Sequence, residues 1–422
     1  MDFPWIIPAT DDISAQRVTL TLGMGTAYRY FREVAFPGIG GAQFVRHCSW
    51  GVAAHALHDE IPALAPSRIA HGIEALACKL VVHSDRDRDD YDGRIRGTRA
   101  FEKSPEAWSF RELSQPRYYV HITFRQSVVT ALSSDLGLGF AEGGRRFNAM
   151  TLTRHGQDLA AAFLNQKVGQ GGTPLRKVLI RWMSGSEADG AIRNASIRNA
   201  MEPWIGKGQE EGQVMRDRLF ADSRSTSIYG TRGRFHLMEA FQELGLDEEP
   251  RLSAVLESLR ARDRATQALA IAVAVAFEAL FAAAQRLVHV AAEVLEKRDI
   301  VVCPAETIAN GPVQVAGEQL RTRARNYVTA VEQADGKVRH AEADACAQDV
   351  EASTSLAELV MSVVRRDGQI LERVDHATIR RGSLFSSKKS TADLPDAAEH
   401  RTGLSSPRLR QAFRLLVSCH AR

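Results

Sequence analysis

Apolar residues recur at helical spacing along most of the chain. In residues 42–57, Phe44, Cys48, Val52 and Leu57 fall near one helical face, which predicts a helix there. Ser67 is placed as the N-cap of a second helix reaching Val82. Tyr118 to Ser133 reads as a third, with Val120, Phe124, Val128, Val129 and Leu132 on its apolar side. The pattern then shifts. Residues 145–152 alternate in part as a strand does, and Thr153 caps a helix holding Leu159, Phe163 and Leu164.

Further on, helices are expected at Leu175–Met183, at 212–221 and across 250–298, the last broken near Arg260-Ala261-Arg262. Residues 304–318 and, more strongly patterned, 318–347 read as helical. A short amphipathic helix spans 356–366, ending at an Asp367-Gly368 turn, and Ser406-Pro407 opens a last one. Gly169 to Thr173 (GQGGT) reads as a linker; it lacks the Lys-Ser/Thr of a P-loop. The stretch 83–99 carries dense opposite charges and few apolar residues, as an exposed loop does.

These elements predict a mainly α protein: a multi-helix body with a small α+β, winged-helix-like element. The expected organisation is an N-terminal helical region over 1–99, the winged-helix-like module over 100–168, a helical core over 169–377, and a basic tail with a helix over 378–422. Ala-rich helices around 252–345 are expected to form the core. Residues 268–284 (ALAIAVAVAFEALFAAA) test as a membrane span, but Glu278 interrupts a run dominated by Ala. A buried central helix is the expectation, with no membrane contact.

Composition excludes several classes. Of 422 residues, 44% are hydrophobic and 25% charged, which rules out a disordered chain, a collagen-like fibre and a disulfide scaffold. The five cysteines, Cys48, Cys78, Cys303, Cys346 and Cys419, are odd in number and form no CxxC pair. That pattern fits reduced thiols, and with an acidic, arginine-free start at residues 1–14 it points to the cytoplasm. Net charge is +3, too small for a protein that simply coats DNA. Its distribution is uneven: residues 378–422 hold nine basic and three acidic residues, a net +6 against −3 for the remainder.

Candidate chemistry follows from this map. Arg145, Arg146, Arg154 and Lys167 surround the winged-helix-like module, and Arg380, Arg381, Lys388 and Lys389 lie in the tail. Cations near a helix N-terminus hold phosphate and give affinity without sequence readout, so these eight residues are the candidate contacts with double-stranded DNA. A solvated arginine face is the alternative reading. His47, Cys48, His55, His58, His71 and Cys78 cluster, but no second closely spaced pair completes a zinc motif, and no metal or other cofactor is expected. Asp85, Asp87, Asp89 and Asp92 lack the Gly and terminal Glu of a calcium loop. No GxSxG is present. A nuclease or toxin effector would need Asp85, Asp89 or Glu102 to converge with Lys103.

Several short blocks resemble uncharacterised bacterial proteins of anti-phage defence islands. The Pro37-Gly38 turn is followed by Arg46 and then Trp50; Ile95-Arg96-Gly97 resembles a central turn; Leu152 to Ala160 resembles an LTxxGxxLA helix start; Ser406 to Leu416 resembles a C-terminal helix. The resemblance implies a cytoplasmic defence component encoded beside ATPases or nucleases, and it carries over no catalytic residue. Trp50 and the Pro37-Gly38 turn are then structural. The expected function is a non-enzymatic component that binds DNA or a partner protein. The alternatives are the effector enzyme and an assembly subunit that touches no nucleic acid.

Overall fold

The computed structural model describes residues 21–35, 38–84, 95–120, 123–135, 137–144, 146–186, 189–203, 210–221, 233–262, 264–383, 385, 404 and 406–420. In chain order come α1 (Gly25–Ala35), α2 (Val45–His58), α3 (Pro66–Val82), the short α4 (Thr98–Lys103) and α5 (Phe110–Leu113), and α6 (Phe124–Leu132). Strands β1 (Ala141–Glu142) and β2 (Thr151–Leu152) pair antiparallel and lead into α7 (Arg154–Leu164). A second antiparallel pair, β3 (Lys167–Val168) and β4 (Thr173–Pro174), leads into α8 (Leu175–Met183). Next are α9 (Asp189–Ile192), α10 (Ala195–Met201), α11 (Glu210–Leu219), α12 (Gly233–Leu244), α13 (Leu252–Ala261) and α14 (Ala265–Lys297). Strand β5 (Val302–Pro304) precedes α15 (Pro312–Gln333), α16 (Ala341–Ala352) and α17 (Leu356–Asp367). The order closes with β6 (Leu371–Arg373), β7 (Thr378–Arg381) and α18 (Pro407–Cys419). The fold is mainly α with small antiparallel sheets, as the periodicity predicts.

Contacts divide the chain into two compact units. One comprises Met1–Phe31 and Leu269–Glu399; the other comprises Arg32–Ala268 and His400–Arg422. Each has its own core. In the first, α14 buries Ile271, Ala274, Phe277, Leu280, Ala284, Val288, Ala291 and Leu295 at intervals of three or four residues. Phe31 stacks on Phe277 at 4.5 Å, and Tyr327 of α15 meets Phe31 edge-on at 6.1 Å. The Glu342 carboxylate accepts from the Thr26 and Ala27 amides, both at 2.9 Å, capping α1 from α16. The sheet runs in the order β5-β7-β6, with Cys303 opposite Ile379 and Ile379 opposite Arg373. By length and composition α14 could cross a membrane (mean hydropathy 2.0 over its most apolar window), but 61% of that window is buried. The core helix of a soluble protein passes the same test.

The second unit is built around α2, which is buried along nearly its whole length and packs against α3, α6 and α7. Trp50 is fully buried there. So is Arg46, whose guanidinium pairs with Glu211 of α11 at 3.0 Å, donates to the Ala200 carbonyl and lies over the Phe163 ring. α18 belongs to this unit. Gln411 Nε2 donates to the Gly40 and Ala42 carbonyls, both at 2.9 Å, and the Val45 amide donates to Ser418 Oγ. The Ala-rich helices expected as the core around 252–345 are joined by a second core, within residues 32–268 and 400–422.

Several boundaries also differ from the periodicity. The third helix begins at Phe124, not Tyr118, because Glu74 of α3 takes the Phe124 and Arg125 amides and fixes the first turn there. α3 begins at Pro66 with Ala65 as N-cap; the Ser67 amide donates to Asn148 Oδ1 instead of Ser67 capping the helix itself. Gly169–Gly172 is the turn of the β3–β4 hairpin, with Gly169 and Gly172 at φ +70° and +59°, and not a linker. Residues 304–311 form the end of β5 and a short 3₁₀ turn, and the run 318–347 is split where Asp335 and Gly336 adopt positive φ. Within the segment expected as a basic tail, Thr378–Arg381 is the central strand of a sheet. The caps hold as read: Thr153 accepts from the Gly156 amide, and Ser406 from the Arg408 and Leu409 amides.

Candidate nucleic-acid interface and a cationic cavity

The expected DNA contacts separate into three groups. Arg145, Lys388 and Lys389 lie outside the described residues, as do Asp85, Asp87, Asp89 and Asp92. Arg146, Arg154 and Lys167 are exposed. Arg146 stands in the β1–β2 connection, Arg154 opens α7 just after its Thr153 cap, and Lys167 follows the other end of α7. An 11-residue helix is about 16 Å long, so Arg154 and Lys167 reach different phosphates of a duplex. Among the described residues these three side chains make no ion pair.

Arg380 and Arg381 are used differently. Arg380 donates to Glu372 on the neighbouring strand at 2.8 Å. Arg381 donates to the Leu295 carbonyl in the last turn of α14 at 3.0 Å, and its guanidinium lies over the Phe385 ring. Both belong to the first unit, so the structure does not join them to the α7 group.

Of the candidate histidines and cysteines, all but the half-buried His58 lie in the interior. His55 is buried, and burial pushes its pKa down to about 4. All five cysteines are buried as free thiols; burial pushes Cys48 and Cys78 up to about 12. Among the described residues no group of three or more His, Cys, Asp or Glu is placed to hold a metal. Glu102 and Lys103 sit on the exposed end of α4.

A constellation missed by the sequence reading lies in the second unit, between the starts of α3 and α6. A cavity of about 540 Å³ is lined there by Arg68, His71, Ser114, Arg117, Thr123 and Arg125, among others. Among the described lining residues there are three arginines and no carboxylate. Arg68 donates through Nε to Ser114 Oγ at 3.2 Å; Arg125 donates through Nη1 to the Ser67 carbonyl at 2.9 Å. A guanidinium has five N–H groups, so each keeps donors for another partner.

Arg117 is held by a turn. The Tyr118 amide donates to the Gln115 carbonyl at 3.2 Å, Pro116 fills the first central position, and Arg117 takes φ +62°. That is the type II arrangement, in which the second central position favours Gly. An L-residue there costs roughly 1–2 kcal/mol.

Two of the residues lining this cavity each hold a buried polar atom without a hydrogen-bond partner: His71 Nε2 and Thr123 Oγ1. Each residue is only 3% exposed. Burial, with the nearby Arg125 charge, pushes the His71 pKa down to about 4, and its other ring nitrogen bonds the Gln115 backbone. The ring is therefore neutral, with its proton on Nδ1 and a lone pair on Nε2.

The helix N-termini themselves are already occupied. Glu74 Oε1 accepts from the Arg125 amide at 2.7 Å, and Oε2 accepts from the Phe124 amide at 3.1 Å and the Tyr119 hydroxyl at 3.0 Å. Burial pushes Glu74 up to about 7, against the Tyr119 bond and the Arg125 charge. A second cavity, in the other unit, has both signs on its wall: Glu306 and Glu358 beside Arg365 and Arg373.

No protein-family model matches the chain, and no curated protein or solved structure is similar to it.

Proposed function

We propose that the chain is a non-enzymatic binding component that contacts double-stranded DNA, working in the setting of a bacterial anti-phage system. The observation that carries the DNA reading is the exposure of Arg146, Arg154 and Lys167 around one hairpin and helix, with no ion pair to occupy them among the described residues. Cations so spread bind phosphate along a backbone and confer affinity without base readout. Arg380 and Arg381 take a lesser part, since Glu372 and the end of α14 engage them. The defence setting rests on the resemblance of the blocks around Pro37-Gly38, Arg46-Trp50 and Leu152–Ala160.

The test is binding of a fluorescent duplex across a salt series, with and without magnesium. Affinity is expected to fall with salt, with DNA left intact. In Arg146→Ala/Arg154→Ala the log–log salt slope is expected to shrink by about 2, one contact per arginine. A double variant that binds as wild type does removes this face from the reading. No binding by wild type favours the assembly subunit, and shortened DNA with magnesium favours the nuclease.

A further inference from the structure

We propose that the cavity bounded by Arg68, His71, Arg117, Thr123 and Arg125 is a binding site for a phosphomonoester. This site is separate from the face around α7 and takes a small ligand or a terminal phosphate, not a duplex backbone.

The charge comes first. Three arginines line the cavity with no carboxylate among the described lining residues, and Glu74 of α3 is turned to the α6 amides and Tyr119. Arg68 and Arg125 are each anchored by one hydrogen bond, which fixes their direction while leaving donors over. Guanidinium forks suit phosphate oxygens, which they engage in pairs. Arg117 stands on a turn whose geometry favours glycine, a conformational cost that buys no buried contact for the exposed side chain.

The buried polar atoms then choose the anion. A buried hydroxyl or imidazole nitrogen without a partner costs free energy, and here two such atoms belong to residues that line one cavity. Thr123 Oγ1 donates to an anion oxygen. His71 Nε2 carries a lone pair and accepts a proton. A phosphomonoester has its second pKa near 6, so at pH 7 about a tenth of it is the monoanion, and the P–OH of that form donates to Nε2. Sulfate has no such proton at neutral pH. The balance is simple: the shared proton lies on phosphate or on Nε2, and no covalent bond is made. The volume of about 540 Å³ exceeds one phosphate and accommodates the organic body of a nucleotide-sized ester.

Calorimetric titration of the full chain tests the site with four probes: inorganic phosphate, sulfate, a ribonucleoside 5′-monophosphate and a 5′-phosphorylated oligonucleotide. Phosphate and at least one ester are expected to bind, and sulfate about tenfold or more weaker, the worth of one charge-assisted hydrogen bond. Arg117→Gly is expected to weaken phosphate by about tenfold or more while the chain stays folded, because glycine suits that turn. Arg68→Gln provides a second folded variant with the same expectation. Arg146→Ala/Arg154→Ala is expected to leave phosphate binding unchanged, which keeps this site distinct from the DNA face. Mononucleotide binding identifies a small ligand; binding of the oligonucleotide alone identifies a nucleic-acid end. The proposal is overturned if wild type binds neither phosphate nor either ester at concentrations on the order of 10 mM, if sulfate binds as tightly as phosphate, or if Arg117→Gly and Arg68→Gln bind phosphate like wild type.

Discussion

Glu74 makes the stability of the second unit depend on pH in an unusual direction. Its carboxyl is 1% exposed and has its folded pKa pushed up to about 7 from an ordinary 4.5, so the fold holds its proton more tightly than the unfolded chain does. The contribution is therefore full below about pH 4.5 and is lost as pH rises through 7. At 1.36 kcal/mol per unit, the swing is about 3 kcal/mol, a sizeable part of the 5–15 kcal/mol of a typical domain. His55 and His71 work the other way. Burial lowers both to about 4, so their contribution is present above 6.5 and is lost as pH falls toward 4. The terms overlap in one window, so a wild-type curve alone does not separate them. The difference between wild type and Glu74→Gln does. Glutamine keeps the volume and an acceptor but does not titrate, and its amide N–H₂ facing a backbone N–H adds a cost independent of pH. Urea unfolding of both proteins, followed by tryptophan fluorescence, is expected to show wild type losing about 3 kcal/mol relative to the variant between pH 4.5 and 7. A difference that stays flat across that window, or a carbon-13 titration of Glu74 with its midpoint near 4.5, would refute the argument.

Two further outcomes follow from packing. Glu211→Gln leaves the Arg46 charge buried without its partner and is expected to cost about 3–5 kcal/mol in urea unfolding, whereas Arg46→Met/Glu211→Leu together costs much less, since paired apolar replacement removes the desolvated charges. Equal losses in the single and double variants would show that the pair is not what holds α2 to α11. Gly156→Ala places a methyl 2.0 Å from the Phe140 carbonyl oxygen, a distance that forces α7 away from the bend ahead of β1. A fall in melting temperature is expected even though alanine has the higher helix propensity.

Helices were legible where the signals that start and stop them are local. Leu175–Met183 carries its own apolar stripe, Ser406-Pro407 is both cap and first turn, and Thr153 bonds an amide three residues on. The failures share a cause: a partner distant in sequence. The start of α6 depends on Glu74, about fifty residues earlier, so periodicity alone extended the helix back to Tyr118. Arg46 on an apolar helix gives no hint of Glu211 as its counter-charge. The cationic cavity gathers residues from 67 to 126, and none forms a motif with its neighbours. One signal was present: Pro116 followed by Arg117 marks a turn, and an arginine at the position glycine favours is worth asking about. Strand β7 was hidden for the opposite reason, its Arg-Arg ending reading as solvated charge when Ile379 is its buried anchor.

The side chain of Gln411 closes the loop ahead of α2, with Ser418 capping the helix itself. Residues 269–399 are made on the ribosome between Ala268 and the segment that carries α18, and the other unit needs residues up to 31 as well as those that follow 268. The two units are thus interleaved in time. Neither can finish while synthesis is in its middle third, and the carbonyls of Gly40 and Ala42 wait for a donor nearly the whole length of the chain away. Such long-range closure slows folding and leaves early-made apolar helices uncovered for longest. A nascent chain halted before residue 400 would therefore hold α2 and its neighbours in an unfinished state, one that chaperones and proteases would meet before any ligand does.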